Sequence, residues 1–398
     1  MKKTLTVVTL LAASASQAAG LTIDTQSGRA TGMGSTGVAS SVDASSIYYN
    51  PAGILGVNKL DALLGASFII ANLGFTPEGG TKQTQTTPSP PPHAYFAYKL
   101  SDQLALGVGV FTPYGANIKW PDDFVGRQIA KSAKVATYDI NPTVGFAPVK
   151  WLRIGAGAQI LYGTVDLERA LIFAPTTEGS VKLSTNDWGF GYNLGVQVDV
   201  MPGLLTLGAT YRSWVKMYTR GEADFDVPAP FSAVLVDQPV KLDVTMPSTV
   251  GLGASVTPIE KLTLAVDVNW VDWSTIDELL FELENPPPTL PNTPVPKNWK
   301  DTWSFHIGGE YKPTADLALR LGFIYDPTPT PEDTLTPELP DATRLNFTAG
   351  IGYKHSHFRA DLGYHFVQLL EQRSTSPVLP GTYSGTAHVI GLTLGYSQ

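Results

Sequence analysis

The side chains that could carry chemistry in this chain are six histidines, a glycine-rich stretch and a few arginines. There is no cysteine, which excludes disulfides, thiolate metal ligands and a cysteine nucleophile. No H-E-x-x-H or G-x-S-x-G motif is present, and no histidine pair has metal-ligand spacing with carboxylates. We therefore predict no enzyme, no metal and no cofactor. A lipid hydrolase stays open as an alternative, and the histidines are His93, His306, His355, His357, His365 and His388.

The glycine-rich stretch runs from Gly28 to Gly53 and consists almost entirely of Gly, Ala, Ser and Thr. Gly32, Gly34 and Gly37 have the spacing of a dinucleotide fingerprint, but no apolar strand precedes them and no helical period follows. So little apolar bulk cannot form a core of its own. Small residues do let irregular backbone pack tightly in a confined space. We therefore expect this segment to fold as a plug inside walls built by the rest of the chain.

Three arginines stand among alternating apolar residues: Arg212, Arg320 and Arg344. A guanidinium there could bind the carboxylate of a ligand. It could equally pair with an acid of the same wall, and both interpretations stay open. The acids with the matching register are Asp267, Glu310 and Asp361.

The elements that must position these groups are strands, because the dominant period of the sequence is two. From Leu262 to Trp270 and from Phe358 to Phe366, large apolar residues alternate with Gly, Thr and charged residues. The strands are longer than the usual length of about five or six residues. Aromatic residues such as Trp303 and Tyr325 cluster near their ends. These features predict a transmembrane β-barrel with apolar side chains toward lipid and polar ones toward the lumen, rather than a soluble β-sandwich.

The chain divides into fourteen such strands, which predicts an all-β, 14-stranded antiparallel barrel. Short connections alternate with long ones, as in barrels with short periplasmic turns and long external loops. The even strand count places both termini on the periplasmic side. The predicted strands are 60–72, 92–101, 103–112, 134–147, 151–166, 187–201, 204–221, 240–257, 261–281, 300–312, 315–326, 343–355, 357–371 and 384–397.

Residues 1–18 have the features of a secretory signal peptide, with Lys2 and Lys3 before a short apolar run and small residues up to Ala18. The predicted domains are this signal, an N-terminal hatch or plug (19–58) and the barrel (59–398). Hydrophobic residues make up 43% of the chain and charged residues 16%, without an apolar run long enough for a membrane helix. The negative net charge of -8 argues against a nucleic-acid partner.

A long external connection from Pro113 to Ala133 carries Trp120, Phe124, Val125 and Ile129. The last three would lie roughly on one side of a short helix. With Leu171, Ile172 and Phe173 of the next predicted loop, they could form an apolar patch that marks an interaction site. Packing among the loops is the alternative.

Several short motifs, in this order and spacing, resemble the FadL/TodX family of outer-membrane transporters for hydrophobic compounds. The resemblance extends over nearly the whole chain after the signal. The motifs include Tyr48-Tyr49-Asn50-Pro51-Ala52-Gly53, Pro113-Tyr114-Gly115, Asn141-Pro142, Asn186-Asp187-Trp188-Gly189, Tyr211-Arg212-Ser213 and Pro340-Asp341-Ala342-Thr343-Arg344.

The resemblance implies a monomeric channel in the outer membrane of a Gram-negative bacterium, whose partners are membrane lipid and a hydrophobic ligand such as a long-chain fatty acid. It implies that external loops capture the ligand, that a lumen pocket near the N-terminus holds it, and that it leaves laterally into the membrane. A general porin for small solutes is the alternative. The residues that match these roles are Leu21, Ile23, Trp120, Phe124, Arg212 and Arg344 for the ligand, Asn50, Pro51, Ala52 and Gly53 for the hatch motif, and Gly107, Gly109 and Pro113 for the lateral gate.

Overall fold

The computed structural model describes residues 20–288 and 290–398, so the predicted signal peptide lies outside the described residues. Within the described part, no helix is long and apolar enough to cross a membrane. Short helices occur near the N-terminus, α1 (Gly28–Gly32), α2 (Ser46–Tyr49) and a 3-10 helix (Pro51–Gly56), and in the loops as single 3-10 turns (Phe231–Ala233 and Trp273–Thr275).

Within residues 20–288 and 290–398, fourteen antiparallel strands close into a barrel, as the sequence predicted. Closure comes from the last strand pairing with the first, from Asp61 opposite Ser397 to Pro77 opposite Gly381. The strands are β1 (Leu60–Pro77), β2 (Gln83–Ser89 and Pro92–Ser101), β3 (Leu104–Phe111 and Gly115–Lys119), β4 (Ser132–Val149), β5 (Leu152–Ala174), β6 (Thr177–Met201), β7 (Leu205–Arg212 and Val215–Asp226), β8 (Gln238–Met246 and Thr249–Ile259), β9 (Leu262–Val271, continued by Phe281–Leu283), β10 (Thr302–Tyr311), β11 (Leu317–Asp326), β12 (Arg344–His355), β13 (Phe358–Ser374) and β14 (Gly381–Ser397); the short strands Glu278–Leu279 and Val295–Pro296 pair within a loop.

Two of the predicted external loops are largely strand. β5 and β6 continue through 167–186 and join in a two-residue turn at 175–176, and much of 74–91 belongs to β1 and β2. The outward side chains of the extended hairpin include Glu178, Lys182 and Asn186, all exposed. Outside the bilayer this face meets water, so the apolar alternation ends while the backbone pairing continues. The prediction of a loop at 167–186 was therefore wrong.

The N-terminal segment, defined as residues 20–59, lies inside the barrel. α1 contacts β12, β13 and β14, while the Pro51–Gly56 helix contacts β4, β5 and β6 across the lumen. The Asp267 carboxylate of β9 accepts hydrogen bonds from the backbone N–H groups of Gly37 (2.7 Å) and Val38 (3.0 Å). These contacts supply the walls that a segment of small residues needs in order to fold.

Ion pairs also join the N-terminal segment to the wall. Arg29 contacts Glu310 at 3.2 Å, and Arg320 contacts the same carboxylate at 2.7 Å. Arg320 reaches Asp361 as well, at 2.7 Å. Each charge in this network is paired, as burial away from water requires.

Glycines of the wall let the N-terminal backbone come close. On β10, a Cβ atom added to Gly308 would lie 2.1 Å from the carbonyl oxygen of Met33. The adjacent Gly309 points outward, and its added Cβ would come no closer than 3.3 Å to the Leu264 side chain. Gly308 therefore lies on the inner face of β10, and Gly309 lies on its outer face.

The change Gly308→Ala should therefore lower the free energy of unfolding by about 1–3 kcal/mol, because backbone on both sides must move. Gly309→Ala is the matched control and should stay within about 0.5 kcal/mol of the parent. Denaturant unfolding from lipid vesicles measures both. Equal stability of the two variants would contradict the close packing of residues 20–59 against the wall.

Candidate functional site

The barrel wall is interrupted where β2 meets β3. β2 breaks at Pro90–Pro91 and β3 breaks at 112–114, where Pro113 offers no N–H group. Below the breaks the two strands pair from Ser101 opposite Leu104 to Ala94 opposite Val110, with one register shift between Lys99 and Ser101. Above them, the upper piece of β2 pairs with β1 and the upper piece of β3 pairs with β4.

Among the described residues, no ladder joins the two upper pieces to each other. The two upper pieces still approach each other, with Cα atoms within 8 Å. The wall therefore has a break in its hydrogen-bonded ladder between β2 and β3, and we use the word "gap" for this break.

The first residues of the N-terminal segment bond to the β3 edge of this gap. Thr22 forms an antiparallel bridge with Tyr114. The Ile23 N–H donates to the Pro113 carbonyl and the Gly115 N–H donates to the Leu21 carbonyl, each at 2.8 Å. Residues 21–26 thus supply partners for backbone groups that β2 does not reach, and they close the gap from the lumen side. We call residues 21–26 the gap segment.

The two apolar side chains of the gap segment are buried in different surroundings. Leu21 packs in a cluster with Tyr114, Trp273 and Trp299, and the two indoles lie edge to face with centroids 5.3 Å apart. Ile23 is fully buried in a small cluster whose other members are Ile69 and Val389. Removing Leu21 from its cluster would uncover apolar surface inside the lumen.

Three cavities run from the external loops to Leu21. The outer cavity is about 500 Å³ and is lined by loop residues such as Ile129, Leu290 and Leu379. Phe281 and Glu338 also line a second, almost wholly apolar cavity of about 50 Å³.

This apolar cavity shares Leu21 and Leu339 with a third cavity of about 30 Å³ that contains Arg344, here called the arginine cavity. Consecutive cavities share lining residues, so they lie next to one another in a row that ends at the gap segment, and we call this row the path.

Arg344, at the start of β12, presents polar groups to this path. Its Nη2 atom donates a hydrogen bond to the Asp341 carboxylate. Its Nε and Nη1 atoms are buried and have no hydrogen-bond partner among the described residues. A buried guanidinium with two such atoms can bind a carboxylate that enters the arginine cavity.

Arg212 is arranged differently. Its Nη1 atom donates to Asp139 (3.1 Å) and Gln159 (2.9 Å), and its Nη2 atom donates to the Tyr48 carbonyl (3.2 Å). The guanidinium also lies 5.2 Å from the centre of the Tyr48 ring. Arg212 lines a separate cavity of about 110 Å³ that Thr22 and Asp24 of the gap segment also line, and its hydrogen bonds are already directed at protein atoms.

Comparison with known proteins identifies the family of this chain. A family model described as outer membrane protein transport protein (OMPP1/FadL/TodX) matches residues 9–397. The chain belongs to the FadL/TodX family. It is therefore a β-barrel of the Gram-negative outer membrane, and its family is one of transport proteins.

Relatives of this FadL/TodX chain cover most of its length. A proposed outer membrane protein of Neisseria meningitidis is 26% identical over 417 residues, with 89% of this chain and 86% of the relative covered. The long-chain fatty acid transport protein of Salmonella typhi is 21% identical, with 78% of each chain covered.

Among solved structures, a Pseudomonas aeruginosa FadL homologue superposes with a TM-score of 0.84 at 18% identity, covering 95% of this chain and 100% of that one. The Pseudomonas putida toluene transporter TodX superposes with a TM-score of 0.77 at 18% identity, covering 94% and 98%. Both share the fold.

In this FadL/TodX chain, Trp120 and Phe124 stack on each other with centroids 4.3 Å apart, and both are buried. The Trp120 indole donates to the Pro337 carbonyl at 2.9 Å. They pack external loops together, while Val125 and Ile129 line the outer cavity. Residues 121–130 form turns, so the short helix predicted there was wrong, and Leu171, Ile172 and Phe173 lie on β5 rather than in a loop.

The remaining predicted residues lie in two places. Asn50 caps the Pro51–Gly56 helix, accepting from the Ala52 N–H (3.1 Å) and donating to the Val38 carbonyl (2.7 Å). Gly53 packs against the Ser41 carbonyl. Gly107 and Gly109 lie in the paired part of β3 and make room for Ile47, whereas Pro113 lies at the break.

Gln26 was not predicted from the sequence as a site residue. Its side-chain Nε2 donates to the Thr112 carbonyl at 2.6 Å and to the Ile23 carbonyl at 2.8 Å, and the residue is buried. A long amide side chain in a stretch of small residues was the only sequence signal that could have indicated this role.

The two arginines should respond differently to replacement by alanine. Arg344→Ala should weaken binding of a long-chain fatty acid about 10- to 100-fold, because it removes charge-assisted hydrogen bonds to the carboxylate. The methyl ester of the same acid should bind the variant and the parent equally. Arg212→Ala is the control and should not discriminate acid from ester. Tryptophan fluorescence titration measures the affinities, and an equal loss for acid and ester in Arg344→Ala would contradict the assignment.

Proposed function

We propose that this protein lets long-chain fatty acids or related lipophilic carboxylates cross the outer membrane passively and leave sideways into the bilayer. The observation that supports this most directly is the gap between β2 and β3, closed from inside by the gap segment. The path of cavities that ends at Leu21 leads a ligand to that place.

Capture begins at the outer cavity, whose lining combines Ile129, Leu290 and Leu379 from three different external connections. Moving apolar surface out of water yields roughly 25 cal/mol per Å². The next cavity continues this apolar lining, with Val135, Val244 and Ile276. An alkyl chain can therefore move inward without returning to water.

The head group is proposed to bind Arg344. Its Nε and Nη1 atoms are buried and have no hydrogen-bond partner among the described residues, so they favour an anionic oxygen over a neutral end. Relatives of this chain include proteins named as long-chain fatty acid transporters, and its structural neighbours include toluene transporters. The arginine is the feature that favours an acid for this chain.

A ligand in the path acts on the gap through Leu21, because Leu21 lines both the apolar cavity and the arginine cavity. Both cavities are small, so an alkyl chain can enter them only if Leu21 moves. Movement of Leu21 breaks the bonds between Leu21 and Gly115 and between Ile23 and Pro113. The gap then opens toward lipid, where a hydrophobic molecule is most soluble, and no energy source is required.

The rest of the N-terminal segment is proposed to remain seated as a hatch. Arg29 pairs with Glu310, and Asp267 binds the backbone at Gly37 and Val38. Asn50 donates to wall carbonyls of Val196 (3.1 Å) and Ala209 (3.3 Å). Moving this part would break ion pairs as well as buried hydrogen bonds to the wall, whereas the gap segment has no ion pair among the described residues. This comparison favours a lateral exit over the axial channel of a general porin.

A disulfide across the gap edge tests the function. Thr22 and Tyr114 form a non-hydrogen-bonded antiparallel pair, for which Cα atoms lie about 4.5 Å apart, within the disulfide range. The chain has no other cysteine. The double variant Thr22→Cys with Tyr114→Cys should lose fatty acid uptake when oxidised and regain the level of the single variants when reduced.

A control disulfide, Leu252→Cys with Val268→Cys, joins facing residues of β8 and β9 away from the gap. It should leave uptake unchanged in both redox states. Full uptake through the oxidised Thr22–Tyr114 pair would contradict lateral release at this gap.

A further inference from the structure

Three tyrosine hydroxyls from two elements, α2 and β2, converge on the backbone of the gap segment. The Tyr48 hydroxyl donates to the Ile23 carbonyl at 3.0 Å, and the Tyr49 hydroxyl donates to the Asp24 carbonyl at 2.8 Å. The Tyr49 oxygen also accepts from the Gln26 N–H at 3.0 Å. The Tyr95 hydroxyl donates to the Gln26 carbonyl at 3.2 Å.

We propose that Tyr48, Tyr49 and Tyr95 form a latch that holds residues 23–26 against the edge of the gap and sets how readily they leave it. These are positioning residues, since they act on the gap segment and touch none of the three cavities along the proposed path. The part that concerns opening rests on the proposed lateral release, whereas the holding of residues 23–26 does not.

The rings of the latch are fixed by packing. Tyr48 lies edge to face with Tyr49 (centroids 4.9 Å apart) and with Phe111 (5.3 Å). Tyr95 stacks on the same Phe111 at 5.7 Å. Because aromatic side chains in contact have little rotamer freedom, the hydroxyls stay directed at the gap segment whether or not it is present.

The latch spans the gap. Tyr95 stands on β2 shortly after the Pro90–Pro91 break, and Phe111 is the last residue of β3 before its break. Tyr48 and Tyr49 end α2, which Arg212 ties to the wall through the Tyr48 carbonyl. The fixed side of the latch is therefore α2 with both strand edges, and the moving side is the gap segment.

The hydrogen bonds of the latch can break and form again. Burial raises the pKa of the Tyr48 and Tyr49 phenols well above the ordinary value, so both keep the protons that they donate. A neutral hydrogen bond contributes modestly, because breaking it exchanges one partner for another. Four such bonds are strong enough to keep the segment seated and weak enough for a binding ligand to release it.

Phenylalanine variants remove each hydroxyl and keep the ring. In Tyr48→Phe, Tyr49→Phe and Tyr95→Phe, amide hydrogen exchange of a peptide covering residues 20–27 should accelerate about three- to tenfold per hydroxyl, following the usual strength of such bonds. The variants are measured as full-length barrels in lipid vesicles. Melting of the barrel, followed in the same samples, should not change.

Tyr383→Phe is the matched control. Its hydroxyl is buried and has no hydrogen-bond partner among the described residues, and its ring packs in the Phe75 cluster of the external loops. The exchange of residues 20–27 should equal that of the parent protein.

Fatty acid uptake at low concentration is the second measurement. Faster exchange with faster uptake supports both the latch and its role in opening. Faster exchange with unchanged uptake supports the latch and overturns lateral release through this gap. Unchanged exchange in all three variants overturns the latch, whatever the uptake.

Discussion

Within a bilayer, peptide N–H and C=O groups have no water to bind, so every strand of a membrane barrel must be paired along both edges. The closure of β1 on β14 meets this requirement along the full length of both strands. Between β2 and β3 the ladder ends at Ala94 opposite Val110. Pro113 lacks an N–H, and the residues beyond it pair with β4 and not with β2. The gap segment supplies bonding partners at this edge, so the same requirement that shapes the wall also positions the N-terminus.

Inside the lumen, the constraint on the structure is close packing. Wall glycines such as Gly308 admit the backbone of small residues, and charges are paired as they are buried. Arg344 is also paired, with Asp341, but its Nε and Nη1 atoms have no hydrogen-bond partner among the described residues, and the residue lines the arginine cavity. A site that leaves buried donors unpaired in the absence of ligand favours a ligand that pairs them.

Sequence reasoning predicted the number of strands, because lipid-facing alternation leaves a period that can be read residue by residue. It did not predict the extension of β5 and β6 beyond the membrane, where water removes that period. It also could not distinguish the roles of Arg212 and Arg344. Asp139 and Gln159, whose side chains bind Arg212, come from other strands. The bridge between Thr22 and Tyr114 has no sequence signal, because pairing between distant segments depends on the closed barrel.

The exit route can be mapped most directly with a long-chain fatty acid that carries a photoreactive diazirine near its methyl end. Irradiation during transport in lipid vesicles, followed by mass spectrometry, locates the labelled residues. We expect labels at Leu21 and on both edges of the gap, at Pro91 and Thr112. Labels along α1 and the periplasmic turns, with none at the gap, would contradict it.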